Sequence, residues 1–340
     1  MVSTSTIAAT IDRSLRILWI RADSVGRAPQ PVALAYPRAT MSASREFHRT
    51  PDERFVELPG FPFEPHYREW QGLRLAHIDE GDGPPVVMLH GEPTWSYLYR
   101  KVMGPLLEAG YRCVVPDLPG FGRSDKPLDE RWYSYENHTV AVASLLEQID
   151  LRDVTLVMQD WGGPIGLRVA TTVMPERIGR LVLMDTGVFD GRQRMSDGWQ
   201  RFREFVERTP DVPIGLLIRG GCKVPPAEEV VRAYEAPFPD EASKAGARVF
   251  PVLVPTTPDA PGAAEGRTVM EALARETRPT LVLWADSDPA LPLEPVGRLV
   301  QRLIPSAQEL KVVADAGHYL QEDQGERVGA AIAEWLAGVR

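Results

Sequence analysis

The sequence predicts an α/β fold, a mostly parallel sheet covered by helices on both faces and interrupted by a helical insertion. Three observations carry that expectation. From about residue 69, short continuous apolar runs alternate with helix-period segments, as in sheets buried on both faces. The alternation lapses between residues 186 and 267, where no strand signal occurs, prolines cluster and aromatic residues recur, and it then resumes. Two acids and a histidine fall just after apolar runs, at the strand ends where open α/β sheets place their sites.

Taken in order, residues 1–44 are rich in Ser, Thr, Ala and Arg, with one short apolar patch at 17–20 flanked by charges. They are expected to be a disordered N-terminal extension, or a stretch upstream of a true start at Met41; a transit peptide is the lesser alternative. The core is expected over residues 45–185 and 268–340, with the helical cap over 186–267. In the core, 73–80 and 85–90 read as strands. HGEPTWSYLYR (90–100) is a loop opening a helix that reaches residue 107, and 112–116 is a strand followed by the turn-rich DLPGFGRSDKP. A helix over 139–149, a strand over 154–158, a helix over 164–174 and a strand over 181–184 follow. After the insertion come a strand at 280–284, a helix at 293–303, a strand at 309–313 and a closing helix at 328–337.

Of the 340 residues, 44% are hydrophobic, enough for a large core, and the formal net charge is −9. That balance argues against nucleic-acid and anionic-membrane partners. No apolar run reaches the roughly 18 residues that span a bilayer. Cys113 and Cys222 are far apart and make no disulfide framework, which fits a reducing, cytoplasmic setting.

The chemistry centres on DVTLVMQDWGGPIG (153–166), an apolar strand, an abrupt turn and a helix opening on a Gly pair. This is the pattern of a nucleophile elbow, with Asp160 where a serine is usual. Asp160, Asp288 and His318 each follow a strand, and nucleophile, acid, histidine is the chain order of the α/β-hydrolase triad. Singly, an Asp before a helix is commonly an N-cap and His318 could be a surface loop histidine; the shared placement favours a site. For the acid, Asp288 ranks first, Asp185 second and Asp286 third. His48, His66, His77 and His138 show no partner pattern.

A carboxylate is ionised at neutral pH and attacks without a base. It can displace a leaving group at saturated carbon and form an alkyl ester, leaving His318 free to activate water. Backbone N–H groups of Glu92 and Trp161 are the expected oxyanion hole. Halide and epoxide oxygen are the usual leaving groups, and the indole N–H of Trp161 is a donor suited to a halide.

The blocks HGEPTWSYLYR, PDLPGFGRSDKP (116–127), TLVMQDWGGPIGL (155–167), YEAPFPDEASKAGARVFP (234–251) and DAGHYLQED (315–323) resemble haloalkane dehalogenases. The resemblance runs from about residue 50 to the C-terminus. It implies the α/β-hydrolase fold, with an eight-stranded, mostly parallel sheet and the cap inserted after strand 6. It implies hydrolysis of a haloalkane to a primary alcohol, halide and a proton. Asp160 would be the nucleophile, His318 the base, Asp288 its acid, Glu92 and Trp161 the oxyanion hole, and Trp161 a halide donor. It implies no metal or organic cofactor. The partners would be a small apolar halogenated substrate and water, and the chain is expected to act as a monomer.

One departure stands out. Phe202 occupies the place of the cap tryptophan that supplies the second halide donor in this subfamily, and phenylalanine has no N–H. Other subfamilies use an asparagine after the HG, where this chain has Glu92. Trp199, about one helical turn before Phe202, is either the replacement donor or a pocket wall; Phe202 and Phe189 are expected in the substrate pocket. Two rivals remain: an epoxide hydrolase, which needs two cap tyrosines where only Tyr234 is evident, and a catalytically weak fold that binds a hydrophobic small molecule.

Overall fold

The structure, a computed structural model, describes residues 46–339; the extension expected over residues 1–44 lies outside them. Eight strands form one sheet: β1 (Pro65–Trp70), β2 (Leu73–Glu80), β3 (Pro85–Leu89), β4 (Arg112–Pro116), β5 (Val154–Gln159), β6 (Ile178–Met184), β7 (Thr280–Ala285) and β8 (Lys311–Val313). Their spatial order is β8-β7-β6-β5-β3-β4-β2-β1. Pairings are parallel except that β2 runs antiparallel to both β1 and β4. Outside this sheet, Phe47–His48 pairs antiparallel with Lys126–Pro127.

The helices of the core are α1 (Arg100–Glu108), α2 (Tyr135–Gln148) and α3 (Gly162–Arg168). Those between β6 and β7 are α4 (Asp197–Glu207), α5 (Ile214–Gly221), α6 (Glu228–Glu235), α7 (Ala245–Leu253) and α8 (Ala263–Leu273). After β7 come α9 (Arg298–Leu303) and α10 (Leu320–Gly338). Chain direction across the sheet explains the two covering layers. The connection from β3 through α1 to β4 runs one way, and those from β4 through α2 to β5 and from β5 through α3 to β6 run the other. Right-handed crossovers therefore put α1 on one face and α2 and α3 on the opposite one. In agreement, α1 packs against α10, while α2 and α8 pack against α3.

Every residue of β5 is buried, the polar Thr155 and Gln159 included, as befits a central strand that is otherwise apolar. Leu89 pairs with Met158, Gln159 with Met184 and Met184 with Leu283. The carboxyl ends of β3, β5, β6 and β7 are thus level, and the loops after them converge at one edge.

Several boundaries differ from the sequence expectation. β1 was not anticipated, because an exposed antiparallel outer strand such as PHYREW lacks a continuous apolar run. The helix after β5 is α-helical only to Arg168 and continues as a wide turn through Val173. A non-helical Glu294 delays α9 to Arg298. The closing helix begins at Leu320, eight positions ahead of the expected 328, because DAGHYLQED turns helical directly after the histidine loop. The last helix of the insertion runs past residue 267 to Leu273.

Candidate active site

Asp160 sits directly after β5 with φ +47°, a left-handed conformation that is strained for a non-glycine residue. Three hydrogen bonds hold it there. Its own N–H donates to the Asp185 carbonyl at 3.1 Å, and its carbonyl accepts from Gly163 N–H at 2.9 Å and from Thr186 Oγ1 at 2.6 Å. The Gly pair makes room for this turn: a Cβ on Gly163 would lie 1.7 Å from Thr186 Oγ1. On the other side, the loop after β3 comes so close that a Cβ on Gly91 would lie 2.1 Å from Asp160 Oδ1. That approach lets the next residue, Glu92, donate its N–H to Asp160 Oδ1 at 2.8 Å. His90 anchors the same loop, its Nε2 accepting from Leu118 N–H at 3.0 Å and its Nδ1 facing Gly91 O at 2.8 Å.

His318 follows β8 and lies between two carboxylates. Its Nδ1 is 2.7 Å from Asp288 Oδ2 and its Nε2 is 3.5 Å from Asp160 Oδ2. The other oxygen of Asp288 accepts from the N–H groups of Ala290 at 2.7 Å and Leu291 at 2.9 Å, so the side chain is held at both ends. Burial by itself would lower the His318 pKa. The charge of Asp288, then contact with Asp160, outweighs burial and holds it well above the usual value.

The two other candidate acids are placed differently. Asp185 is fully buried, and its carboxyl accepts from Ala285 N–H at 3.2 and 3.3 Å rather than from the histidine. Burial, followed by the charge of Asp288, raises its pKa well above the carboxylate range, which favours a neutral acid. Asp286 faces away, bonding Ser287 Oγ and the N–H of Asp315 at 3.0 Å. The Glu92 carboxyl is likewise raised well above its ordinary value, by burial and then by Asp160, and its Oε1 has no partner among the described residues.

A cavity of about 400 Å³ opens over these groups, within the range of small-molecule sites. Glu92, Asp160, Trp161, His318 and Tyr319 form its floor, and Phe189, Trp199, Phe202, Phe205 and Leu217 contribute to walls from the insertion. The lining is almost wholly apolar; Arg201 adds a cation. Trp161 is braced by Phe250, edge-on at 5.2 Å. Trp199 lies in the first turn of α4, whose N-cap Ser196 accepts its backbone N–H at 3.0 Å and donates to Ala290 O at 2.6 Å. The helix is thereby tied to the loop that carries Asp288. Neither the Trp161 nor the Trp199 indole N–H is taken by another described residue.

Of the residues expected from sequence, Glu92, Asp160, Trp161, Phe189, Trp199, Phe202 and His318 meet at this cavity, Asp288 stands behind the histidine, and Asp185 and Asp286 do not reach it. Tyr319 also lines the cavity, while Thr186 and Gln159, both fully buried, bond the backbone of Asp160 and His318 from behind it; the sequence does not single out these three. Gln159, last in β5, donates its amide to His318 O at 3.0 Å. Among the described residues no group of three or more His, Cys, Asp or Glu side chains is arranged to hold a metal ion.

Comparison with known proteins places the fold and the family. Residues 84–324 match the model of the alpha/beta hydrolase fold family. The chain is 42% identical over 297 residues to a haloalkane dehalogenase of Psychrobacter cryohalolentis, covering 85% of this chain and 97% of that one. It is 44% identical over 301 residues to a haloalkane dehalogenase of Mycobacterium marinum, covering 84% and 98%. Among solved structures it is similar to the tetrameric haloalkane dehalogenase DpaA of Paraglaciecola agarilytica NO2, with a TM-score of 0.79, 35% identity and coverage of 86% and 98%.

Proposed function

The chain belongs to the haloalkane dehalogenase family, hydrolases that act on carbon–halide bonds, and from that premise we propose that Asp160 is its nucleophile, His318 its base and Asp288 the acid that orients the base. An Asp160 carboxylate oxygen attacks the carbon bearing the halogen. The carbon–halogen bond breaks, halide leaves with its electron pair, and an alkyl ester forms on the enzyme. His318 Nε2 then takes a proton from water as the water oxygen bonds to the ester carbon. The oxyanion of that adduct is received by the N–H groups of Glu92 and Trp161. Collapse breaks the ester bond, and the departing alkoxide takes the proton from His318. Asp160 loses its own proton to solvent. The balance is haloalkane plus water giving alcohol, halide and one proton.

The observation that carries this assignment is the position of His318, held by Asp288 at 2.7 Å and standing 3.5 Å from Asp160. A base serving the nucleophile itself would bond it directly; this one has room to serve water instead. The leaving halide would meet the indole N–H of Trp161 and that of Trp199, which takes over from the tryptophan that Phe202 replaces; Phe202 and Phe189 are walls. A core over residues 45–185 and 268–340, capped by 186–267, organises these groups. The proposed Asp–His–Asp site draws on one chain alone, which supports a monomer as the working unit; sedimentation would separate that from the tetramer of the Paraglaciecola relative. The two cysteines, both free and buried, support a cytoplasmic setting, and among the described residues no helix is long and apolar enough to cross a membrane.

The epoxide hydrolase alternative is disfavoured because the Tyr234 hydroxyl donates to Glu322 Oε2 at 2.8 Å and does not line the cavity. The test is halide release from 1-bromobutane and 1,2-dibromoethane. Wild type should turn over, Asp160→Asn should release nothing, and His318→Phe should release one equivalent and gain the alkyl mass. Failure of the His318→Phe protein to carry that mass would refute the ester.

A further inference from the structure

We propose that Gln159 is a positioning residue that keeps His318 in the neutral tautomer whose Nε2 can accept a proton; this deepens, and rests on, the assignment of His318 as base. Gln159 closes β5 and is wholly buried. Its amide nitrogen is 3.0 Å from the His318 carbonyl oxygen and 3.2 Å from His318 Nε2. A carbonyl only accepts, so the first contact determines which end of the amide faces the histidine. The amide nitrogen carries two hydrogens and accepts none, so the ring atom opposite the second hydrogen is matched when it presents a lone pair. Across the ring, Nδ1 meets a carboxylate oxygen of Asp288 at 2.7 Å and carries the hydrogen there. Both contacts select the same tautomer.

The surroundings explain why such a device is useful. Asp288 and Asp160, on the loops after β7 and β5, both favour the charged imidazolium, which cannot take a proton from water. Asp185 after β6 and Glu92 after β3 also face the ring electrostatically, and Tyr319 on its own segment packs against it at 5.1 Å between centroids. Against these acids, the Gln159 N–H disfavours protonation, because a proton on Nε2 would oppose one N–H to another. The amide stays pinned by the His318 carbonyl while water approaches Nε2 from the cavity.

The test follows ester hydrolysis from pH 6 to 10 by rapid-quench halide and alcohol release, in wild type, Gln159→Leu and Gln159→Glu. Alkylation needs no base, so a halide burst persists. The acid limb of ester hydrolysis moves to higher pH by about one unit or more in Gln159→Leu, and further in Gln159→Glu, whose carboxylate would pair with the imidazolium. A residue that only braced the loop would lower the amplitude and leave the limb in place, and that result overturns the proposal. If Gln159→Leu does not fold, ¹⁵N-histidine NMR of the wild type at pH 8 decides: an unprotonated His318 Nε2 supports the proposal and a protonated one overturns it. Absence of any halide release from the wild type would instead remove the assignment of Asp160 and His318 on which it rests.

Discussion

Replacing Asp288 by Asn separates the two half-reactions. The carboxylate uses Oδ2 for His318 Nδ1 at 2.7 Å and Oδ1 for the N–H groups of Ala290 and Leu291. An asparagine has one oxygen for both tasks. If its oxygen stays with the two backbone donors, its NH₂ faces Nδ1. The histidine must then carry its hydrogen on Nε2, where it cannot act as a base. If the amide flips, two buried N–H groups oppose an NH₂, at about 1–3 kcal/mol for each donor left unsatisfied. The first arrangement is therefore the stable one. The wrong tautomer lowers base-dependent steps by on the order of 10⁴-fold in a comparable triad. Alkylation does not use the base, so Asp288→Asn should release close to one equivalent of bromide from 1,2-dibromoethane at the wild-type rate and then stall. Rapid-quench halide release with intact-protein mass spectrometry reads both phases. A variant with near wild-type turnover would refute the reasoning and return Asp185 to consideration, although Asp185 is buried, neutral by tendency and committed to Ala285.

Three further outcomes are expected. Phe202→Trp should add a third indole donor to the cavity beside Trp161 and Trp199 and tighten bromide binding by about 10- to 100-fold, the equivalent of one hydrogen bond to a charged group, read by quenching of tryptophan fluorescence. Gly91→Ala would bring a Cβ to 2.1 Å from Asp160 Oδ1; displacement of this proposed nucleophile should lower the halide burst by about a hundredfold or more, with circular dichroism checking that the fold persists. Glu322→Ala should destabilise by about 3–5 kcal/mol, because Glu322 pairs with the buried Arg100 at 2.6 Å, with Lys101 at 2.9 Å and with Tyr234 in the insertion at 2.8 Å. Burial pushes the Glu322 pKa up, but Arg100 and then Lys101 hold it below 4.5. Its contribution is therefore present above the unfolded value and lost as pH falls through the folded one, so the deficit in Tm should be large at pH 7 and shrink in acid.

Local sequence pattern already specified the strand–helix alternation, the insertion after strand 6 and the sharp turn that carries Asp160. Each is written in local pattern: a mostly apolar β5, Gly162 and Gly163 after Asp160, and the lapse of strand signal beyond Asp185. It left open which acid meets the histidine, because Asp185, Asp286 and Asp288 all follow strand ends and differ only in which way the chain turns next. The hydrogen bonds of Asp288 to Ala290 and Leu291 aim one of its oxygens at His318, while Asp185 is turned toward Ala285. Tertiary structure alone brought Trp199 and Phe202 to the same cavity as Trp161, since α4 is placed by Ser196 bonding Ala290, a contact across 94 positions. It also decided the surroundings of Gln159. In sequence that residue is the polar end of an apolar strand, and the partner that gives its amide a direction, His318, lies 159 positions away. Local pattern specifies where a chain turns and which side chains stand at the turn. Their hydrogen-bond directions depend on groups that only folding makes neighbours.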